Sequence, residues 1–288
     1  MPTILAAEVV QKVRDLCIAA AYELPEDARI AFRRALEVEK SPQGRAIFEE
    51  LLRNASVAET ERIPYCQDTG IAVVFVRKGP NVTIDRGTFT SAITEGVSRG
   101  YTDGYLRASL VAEPLFERAN TGDNTPAIIH FEESDRDELV ITVVPKGAGS
   151  ENMSRVVMLT PSAGWDGIKK EVVETVRRAG ANPCPPIVVG VGVGGNLEKC
   201  AYLAKRALVR ELGEANADPR VAALEAELLE EVNRTGIGPQ GLGGSVTALA
   251  VHIETFPTHI AQLPLGINLG CHAYRHKTAV LLGGETDG

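Results

Sequence analysis

Residues 185–212 read PPIVVGVGVGGNLEKCAYLAKRALVREL, a stretch that begins as a strand and continues as a helix. Its first half is a short run of valines and glycines after two prolines, which is typical of a buried strand. Its second half places apolar residues at helical spacing among lysine, arginine and glutamate. A strand followed directly by a helix is the building unit of α/β proteins, so this stretch indicates that fold class.

The sequence on either side shows the same two patterns, one typical of helices and one typical of strands. Residues 6–58 have helical periodicity, and Pro25 with the acidic residues after it is suited to a helix start. Short β-branched runs predict strands, and longer amphipathic runs predict helices. The strands are predicted at 71–76, 82–84, 127–131 and 139–144, and the helices at 85–101, 161–180 and 218–236. We therefore expect a mixed α/β fold with a helical N-terminal region, arranged as one interlocked unit or as two lobes.

The composition and net charge of the chain limit the classes of protein to which it can belong. The chain has 288 residues, of which 44% are hydrophobic, and a formal net charge of −8 from 30 basic and 38 acidic side chains. That balance argues against nucleic acid or an anionic membrane as a partner. The N-terminus lacks the pattern of a signal peptide, and no apolar run is long enough to span a bilayer. A cytoplasmic location is expected.

Five cysteines, an odd number scattered along the chain, do not form the framework of a secreted disulfide-rich protein. Cys17 and Cys200 lie within helical patterns, where cysteine is usually a small buried hydrophobe. Cys66 in PYCQDTG, Cys184 in NPCPP and Cys271 in LGCHAYRH lie instead in turns broken by proline or glycine. Turns at the ends of elements are where functional sites are commonly built.

Three separated turn cysteines leave several kinds of chemistry open. A structural zinc site would normally have four ligands, often supplied as C-x-x-C pairs, and the chain contains no such pair. A nucleophilic cysteine would need only one of these thiols and a nearby base. An iron–sulfur cubane held by three cysteines would leave one iron open to substrate. Unrelated turn thiols remain the alternative, because spacing alone does not prove that the three converge.

Two glycine-rich segments suggest nucleotide binding without meeting its requirements. Gly190, Gly192 and Gly195 spell G-x-G-x-x-G between a predicted strand and a helix. A second strand ending in an acidic residue should follow, but the sequence stays helical. A smaller anion held by main-chain amides at the helix start is the simpler interpretation. The second segment, TGIGPQGLGGS (235–245), lacks the Lys-Ser/Thr of a phosphate-binding loop.

Taken together, the motifs resemble a known enzyme family. PYCQDTG, KGAGSENMS, NPCPPIVVGVGVGGNLEKCAYLAKRAL, GIGPQGLGG and THIAQLPLGINLGCHAYRH occur in the order found in class I, iron–sulfur-dependent fumarate hydratases and the related L-tartrate dehydratases. The likeness extends from about residue 5 to residue 283 and is to the alpha subunit of the two-subunit form. It implies the class I fumarase alpha-subunit fold, with residues 1–288 as a single cluster-binding catalytic domain and the C-terminal or beta domain absent.

The resemblance also implies a cofactor and a reaction. Cys66, Cys184 and Cys271 match the three ligands of a [4Fe-4S] cluster. In this family the iron without a thiolate acts as a Lewis acid on the substrate, and the exposed cluster is sensitive to oxygen. The expected activity is that of a hydro-lyase that interconverts fumarate and L-malate by reversible hydration. The alternative is L(+)-tartrate dehydratase, which forms oxaloacetate.

Five further positions match family residues that contact substrate. They are Gln67, Asp68, Arg107, Gly149 and His259, of which Asp68 and His259 are the candidate catalytic residues. From the residues alone, Asp68, Arg107 and His259 each have a simpler interpretation. Asp68 fits an Asx-type turn, Arg107 a solvated charge, and His259 a histidine buried in the core.

The general base and further carboxylate-binding residues belong, in this family, to the partner. We therefore expect a beta subunit, a dimer of heterodimers, and no activity from this chain alone. Two remote alternatives remain from other classes of protein. One is a zinc protein that uses Cys271, His272 or His276, and the other is a dinucleotide-binding module built on Gly190–Gly195.

Overall fold

A computed structural model of the chain describes residues 3–282. Contacts between main-chain positions divide the chain into two compact units. Unit 1 comprises Met1–Leu24, Val57–Gly147 and Arg275–Gly288, and unit 2 comprises Pro25–Ser56 and Ala148–Tyr274. No helix within residues 3–282 is long and apolar enough to cross a membrane.

The chain alternates helices and strands as the sequence predicts. The helices are α1 (Ala6–Tyr22), α2 (Glu26–Val38), α3 (Pro42–Glu61), α4 (Phe89–Asp103), α5 (Ala148–Glu151), α6 (Gly164–Ala179), α7 (Leu197–Ala207) and α8 (Pro219–Asn233). The strands are β1 (Thr3–Ile4), β2 (Ile71–Lys78), β3 (Thr83–Ile84), β4 (Ile128–Glu133), β5 (Leu139–Lys146), β6 (Arg155–Leu159), β7 (Ile187–Gly195), β8 (Ala248–Thr258), β9 (Leu263–Gly270) and β10 (Lys277–Leu281). The mixed α/β class and the helical N-terminal region are therefore confirmed.

Unit 1 is built on a four-stranded sheet with the order β10-β5-β2-β4. Strand β2 pairs antiparallel with β5 and parallel with β4, and β10 pairs antiparallel with β5. Helices α1 and α4 pack together, with α1 also against β5 and β10. The α1–α4 contact is close because Gly96 and Gly100 of α4 face α1. An added Cβ at Gly96 would lie 2.6 Å from a side-chain carbon of Val13, and one at Gly100 would lie 2.7 Å from the Cβ of Cys17.

Unit 2 is built on a second four-stranded sheet with the order β6-β9-β7-β8. Strand β7 is central, parallel to β8 and antiparallel to β9, and α7 packs across β7 and β9. Gly190 and Gly192 lie inside β7, and Cβ atoms at these positions would each be 2.1 Å from a main-chain carbonyl oxygen of α7. Glycine is therefore required for helix packing here, which accounts for the first part of the G-x-G-x-x-G pattern without a nucleotide.

The differences from the sequence predictions have local causes. Helix α4 begins at Phe89 rather than at residue 85, because Thr88 caps it by accepting from the Ser91 amide. Helix α6 ends at Ala179 as predicted, with Gly180 in a left-handed conformation. Strand β6 was not predicted. It is a five-residue edge strand with alternating exposure, too short to give a clear pattern.

Candidate active site

In unit 1, the loop PYCQDTG connects α3 to β2 and carries Cys66, Gln67 and Asp68. Tyr101 of α4 holds the end of this loop. Its hydroxyl lies 2.8 Å from the carbonyl oxygen of Thr69 and 3.0 Å from that of Gly70. Burial raises the pKa of Tyr101, so its hydroxyl stays protonated and acts as a donor.

Asn124, which is fully buried, ties the same loop to a second segment. Its Nδ2 donates to the Gly70 carbonyl at 3.0 Å, and its Oδ1 accepts from the Ser109 amide at 2.7 Å. The Thr69 hydroxyl donates to the Arg107 carbonyl at 2.9 Å. The structure therefore brings Arg107, whose side chain is exposed, to the loop that carries Gln67 and Asp68.

Asp68 is held at two atoms, one in its carboxylate and one in its main chain. Its Oδ1 accepts from the Gly70 amide at 2.9 Å, which is the Asx-type turn expected from the residues alone. The buried guanidinium of Arg275 donates from Nη1 to the Asp68 carbonyl at 2.5 Å. A Cβ at Gly147 would lie 3.0 Å from Asp68 Oδ2 and 3.5 Å from Arg275 Nη2, so glycine leaves space beside both groups.

In unit 2, Cys184 and Cys271 lie at the same end of the sheet. Cys184 precedes β7, and Cys271 directly follows β9. These strands are antiparallel, with Val188 opposite Gly270. The main-chain amide of His272 donates to the Cys184 carbonyl at 3.2 Å, which joins the two cysteine turns directly.

Gly149 lies beside the turn of Cys184. It belongs to the short helix α5, and an added Cβ would be 3.0 Å from the carbonyl oxygen of Asn182. The predicted substrate contact is a main-chain one, and this close approach accounts for glycine at the position. Within unit 2 the structure therefore brings Gly149, Cys184 and Cys271 together.

His259 lies elsewhere. It is exposed, between β8 and β9, and its Nδ1 accepts from the Ala261 amide at 3.1 Å. The neighbouring Thr258 donates to the Gly195 carbonyl at 2.9 Å, at the far end of β7 from Cys184. The nine residues of β7 span about 26 Å at roughly 3.3 Å per residue. The structure does not bring His259 to the cysteines of unit 2, and the interpretation of His259 as a core histidine is wrong.

The five cysteines fall into two groups by exposure. Cys17 and Cys200 are fully buried, as predicted, and burial raises the pKa of both, that of Cys17 to about 12. Cys66 and Cys271 are partly exposed, and Cys184 is exposed. Metal ligation requires a thiolate, and a buried thiol whose pKa is raised forms one less readily. The thiols that water reaches are thus Cys66 of unit 1 and Cys184 and Cys271 of unit 2, and three thiolates are a donor set that an iron–sulfur cluster can use.

A site for a single metal ion is not seen in the described part of the chain. Among residues 3–282 no three His, Cys, Asp or Glu side chains lie close enough to hold one ion. The zinc alternative with Cys271, His272 or His276 has no support from this geometry.

Three side chains that hold the loop of Asp68 carry no prediction from the sequence. They are Tyr101, Asn124 and Arg275. Arg275 lies within the motif LGCHAYRH, and this was the available signal. Tyr101 and Asn124 had none, because their importance comes from burial beside a loop distant in sequence.

Comparisons with known proteins agree on one family. Residues 10–280 match the family described as Fumarate hydratase (Fumerase). A protein of Methanocaldococcus jannaschii, provisionally named L(+)-tartrate dehydratase subunit alpha, is 44% identical over 268 residues, which cover 91% of this chain and 94% of that protein. The L(+)-tartrate dehydratase subunit alpha of Escherichia coli K12 is 32% identical over 262 residues, covering 90% of this chain and 86% of the relative. The same subunit of Escherichia coli UTI89 is 33% identical over 259 residues, covering 88% and 84%. The chain therefore belongs to the class I fumarate hydratase family of hydro-lyases, in the form of its alpha subunits.

Proposed function

We propose that this chain is the alpha subunit of an iron–sulfur hydro-lyase that converts L(+)-tartrate to oxaloacetate by loss of water. The motifs predict fumarate and L-malate as the substrates, with L(+)-tartrate as the alternative. The names of the relatives favour the alternative, because proteins that match nearly the whole chain are named as tartrate dehydratase subunits. Interconversion of fumarate and L-malate remains the second candidate, favoured by the description of the matching family.

The exposure of the cysteines carries the proposal of a cluster. The three thiols that the family resemblance implies as ligands are the three that water reaches. Cys66, Cys184 and Cys271 would hold a [4Fe-4S] cluster. When bound, such a cluster supplies a Lewis acid that polarises the bond to the departing hydroxyl group.

The residues around the loop in unit 1 would bind and orient the substrate. The exposed fork of Arg107 is suited to a substrate carboxylate, which it can bind through two parallel hydrogen bonds. Asp68 would accept a hydrogen bond from a substrate hydroxyl, because its backbone is held by Arg275 and its side chain by Gly70. Gln67 lies exposed beside it and would contact the same substrate. Gly149, which lies in unit 2, would contact the substrate through its main chain.

A partner completes the proposal. The relatives are named as alpha subunits, which supports a beta subunit for this chain. The general base is expected there, so this chain alone should be inactive, and strong turnover by the purified chain would contradict that. The dimer of heterodimers, the cytoplasmic location and a role for His259 stay predictions.

The first test measures the cluster. The chain is purified without oxygen and analysed for iron, acid-labile sulfide and electron paramagnetic resonance, beside Cys66→Ser, Cys184→Ser and Cys271→Ser. About four irons and four sulfides per chain are expected in the wild type and a loss in each variant. Cys17→Ala and Cys200→Ala, which alter buried thiols, should retain the cluster. A wild-type chain that cannot be loaded, or that holds zinc instead, would overturn the proposal.

The second test measures the substrate. The chain is co-expressed with its beta subunit, and turnover of L(+)-tartrate, L-malate and fumarate is compared under anaerobic conditions. Tartrate differs from malate by one hydroxyl, and a site built to hydrogen-bond that hydroxyl can discriminate strongly. We expect kcat/KM for tartrate to exceed that for malate by roughly 100-fold or more. The reverse ratio would make the enzyme a fumarate hydratase.

A further inference from the structure

The glycine-rich segment 236–245 (GIGPQGLGGS) has no part in the function described so far. Its main chain is folded very tightly. Gly238 has a φ of 70°, and a Cβ there would lie 2.2 Å from the carbonyl carbon of Gly243. A Cβ at Gly241 would lie 2.4 Å from the side chain of Ala181, three residues before Cys184. The segment is therefore packed against the turn that carries Cys184.

Gln240 lies at the centre of this segment and contacts both cysteine turns. Its main-chain φ is 54°, a left-handed conformation that a non-glycine residue adopts only when its surroundings impose it. Its main-chain amide donates to the Pro185 carbonyl at 2.7 Å, and its side-chain Nε2 donates to the same oxygen at 2.8 Å. Nε2 also lies 3.3 Å from Nδ1 of His272. One residue thus bridges the neighbour of Cys184 and the neighbour of Cys271.

His272 completes the connection between the two turns. Its main-chain amide donates to the Cys184 carbonyl at 3.2 Å, and its Nδ1 lies 3.1 Å from the same oxygen. When Nδ1 of His272 carries the proton, it can donate to the Cys184 carbonyl. When it does not, it can accept from the side-chain amide of Gln240, so this nitrogen has a hydrogen-bond partner in either tautomer. The cysteine turns are therefore joined through polar contacts that exist without a metal.

The other end of the glycine-rich segment is also fixed. The Glu39 carboxylate accepts from the main-chain amides of Ser245 at 2.9 Å, Val246 at 2.8 Å and Ser41 at 2.8 Å. Burial raises the pKa of Glu39, but these hydrogen bonds outweigh that effect and leave it below its ordinary value. The carboxylate therefore stays charged at neutral pH, and the segment is anchored at its C-terminal end as well as at Gln240.

We propose that Gln240 is a positioning residue that fixes the spacing of Cys184 and Cys271 before a cluster is inserted. The inference rests on the proposed function, because it takes these thiols to be cluster ligands. A metal site binds more tightly when its ligands are already held in place by a surrounding shell of hydrogen bonds. Gln240 supplies that shell from a segment whose glycines allow its main chain to approach Ala181 and Pro185.

The experiment uses three variants of the full chain. Gln240→Met keeps the length of the side chain but removes the Nε2 donor, and Gln240→Glu keeps the shape and replaces that donor with an oxygen. Gln262→Met is the matched control, because Gln262 Nε2 also donates to a main-chain carbonyl, that of Gly195, at the opposite end of the same sheet.

The first measurement is hydrogen exchange, followed by mass spectrometry, on the metal-free chain. Both Gln240 variants should increase the exchange rate of the Cys184 and His272 amides by roughly 10-fold, since exchange reports local opening. Gln262→Met should leave these amides unchanged. The melting temperature of Gln240→Met should stay near that of the wild type, which separates a local effect from general unfolding. If Gln240→Met does not fold, Gln240→Glu serves the same test.

The second measurement follows the cluster after anaerobic reconstitution. Gln240→Met should lose its cubane signal in air several times faster than the wild type and Gln262→Met. If the wild type loads and Gln240→Met matches it in exchange and in cluster lifetime, the inference is overturned and the proposed function stands. If the wild type does not load, the proposed function fails. Unchanged exchange at Cys184 and His272 in the metal-free Gln240→Met variant would then overturn the positioning role of Gln240 as well.

Discussion

The guanidinium of Arg275 donates to the main-chain carbonyl of Asp68 at 2.5 Å, so a buried cation fixes the backbone of the proposed catalytic carboxylate. Burying a charge is costly unless it is matched by hydrogen bonds, and Arg275 is only 4% exposed. We predict that Arg275→Lys, which keeps the charge but loses the planar fork, lowers kcat of the complex with its beta subunit by roughly 10- to 100-fold. Steady-state kinetics with the preferred substrate measure this.

The matched control is Arg99→Met, because Arg99 lies on the surface of unit 1 and pairs only locally with Glu95. Such an exposed pair contributes little, so the activity of Arg99→Met should equal that of the wild type. A wild-type kcat in Arg275→Lys, with a normal melting temperature, would show that the contact with Asp68 is not needed for turnover.

Thiol alkylation should separate the five cysteines by exposure. In the metal-free chain, iodoacetamide at pH 8 should label Cys66, Cys184 and Cys271, with Cys184 fastest because it is the most exposed. Cys17 should not react, because burial raises its pKa to about 12 and excludes the reagent. Peptide mass spectrometry over a time course gives the five rates.

Loading the cluster should then protect the three reactive cysteines together, since an iron-bound thiolate is not available to the reagent. Unfolding in urea is the control, as it should make all five equally reactive. Protection of only one or two of the three would mean that the ligand set is incomplete.

Much of the fold follows from periodicity. The runs IAVVFV and LVITVV become β2 and β5, central strands of unit 1, because a buried strand needs a continuous β-branched run. The helix before Gly180 ends where its left-handed glycine requires. The sequence predicts one interlocked unit or two lobes, but the bounds of the two units could not be read from it, because each unit collects segments distant in sequence.

The site was less accessible to prediction than the fold. The motif resemblance implies roles for Cys66, Asp68 and Cys184, but it says nothing about the side chains that hold them. Arg275 acts through a main-chain carbonyl more than 200 residues away in sequence, and Gln240 through that of Pro185. Such contacts depend on tertiary packing, which spacing along one chain does not encode. The motif around His259 resembles that of the family, but the structure places this residue near the end of β7 opposite Cys184, so its role stays a prediction.

His252 should make the stability of the chain depend on pH. This residue of β8 is buried, and its Nδ1 donates to the Ala207 carbonyl at 3.1 Å. Burial, helped by the nearby Arg210, lowers the pKa of His252 from 6.5 to about 4. Between these values the unfolded chain binds a proton that the folded chain does not, so stability is full above pH 6.5 and falls as the pH is lowered towards 4.

For this one group, the free energy of unfolding should drop by ~2 kcal/mol between pH 7 and pH 5. Urea unfolding at the two pH values measures the drop, and His252→Gln should reduce it because the titrating group is gone. His259→Gln, at an exposed histidine, should retain the wild-type drop. An equal drop in all three proteins would assign the pH dependence to other groups.

Gly190 offers a direct test of why β7 contains a nucleotide-like glycine pattern. A Cβ at this position would be 2.1 Å from the Ala204 carbonyl oxygen, an atom of the α7 main chain that moves only if the helix shifts. Gly190→Ala should therefore lower the free energy of unfolding by roughly 3 kcal/mol, as overpacked cores do. Gly270→Ala is the control, because the atom nearest to its added Cβ would be at 3.5 Å, an ordinary contact.

If the glycines instead served a dinucleotide, NAD would raise the melting temperature of the wild type, and Gly190→Ala would lose that shift rather than basal stability. We expect no shift with NAD, and a Gly190→Ala variant as stable as Gly270→Ala would contradict the packing explanation.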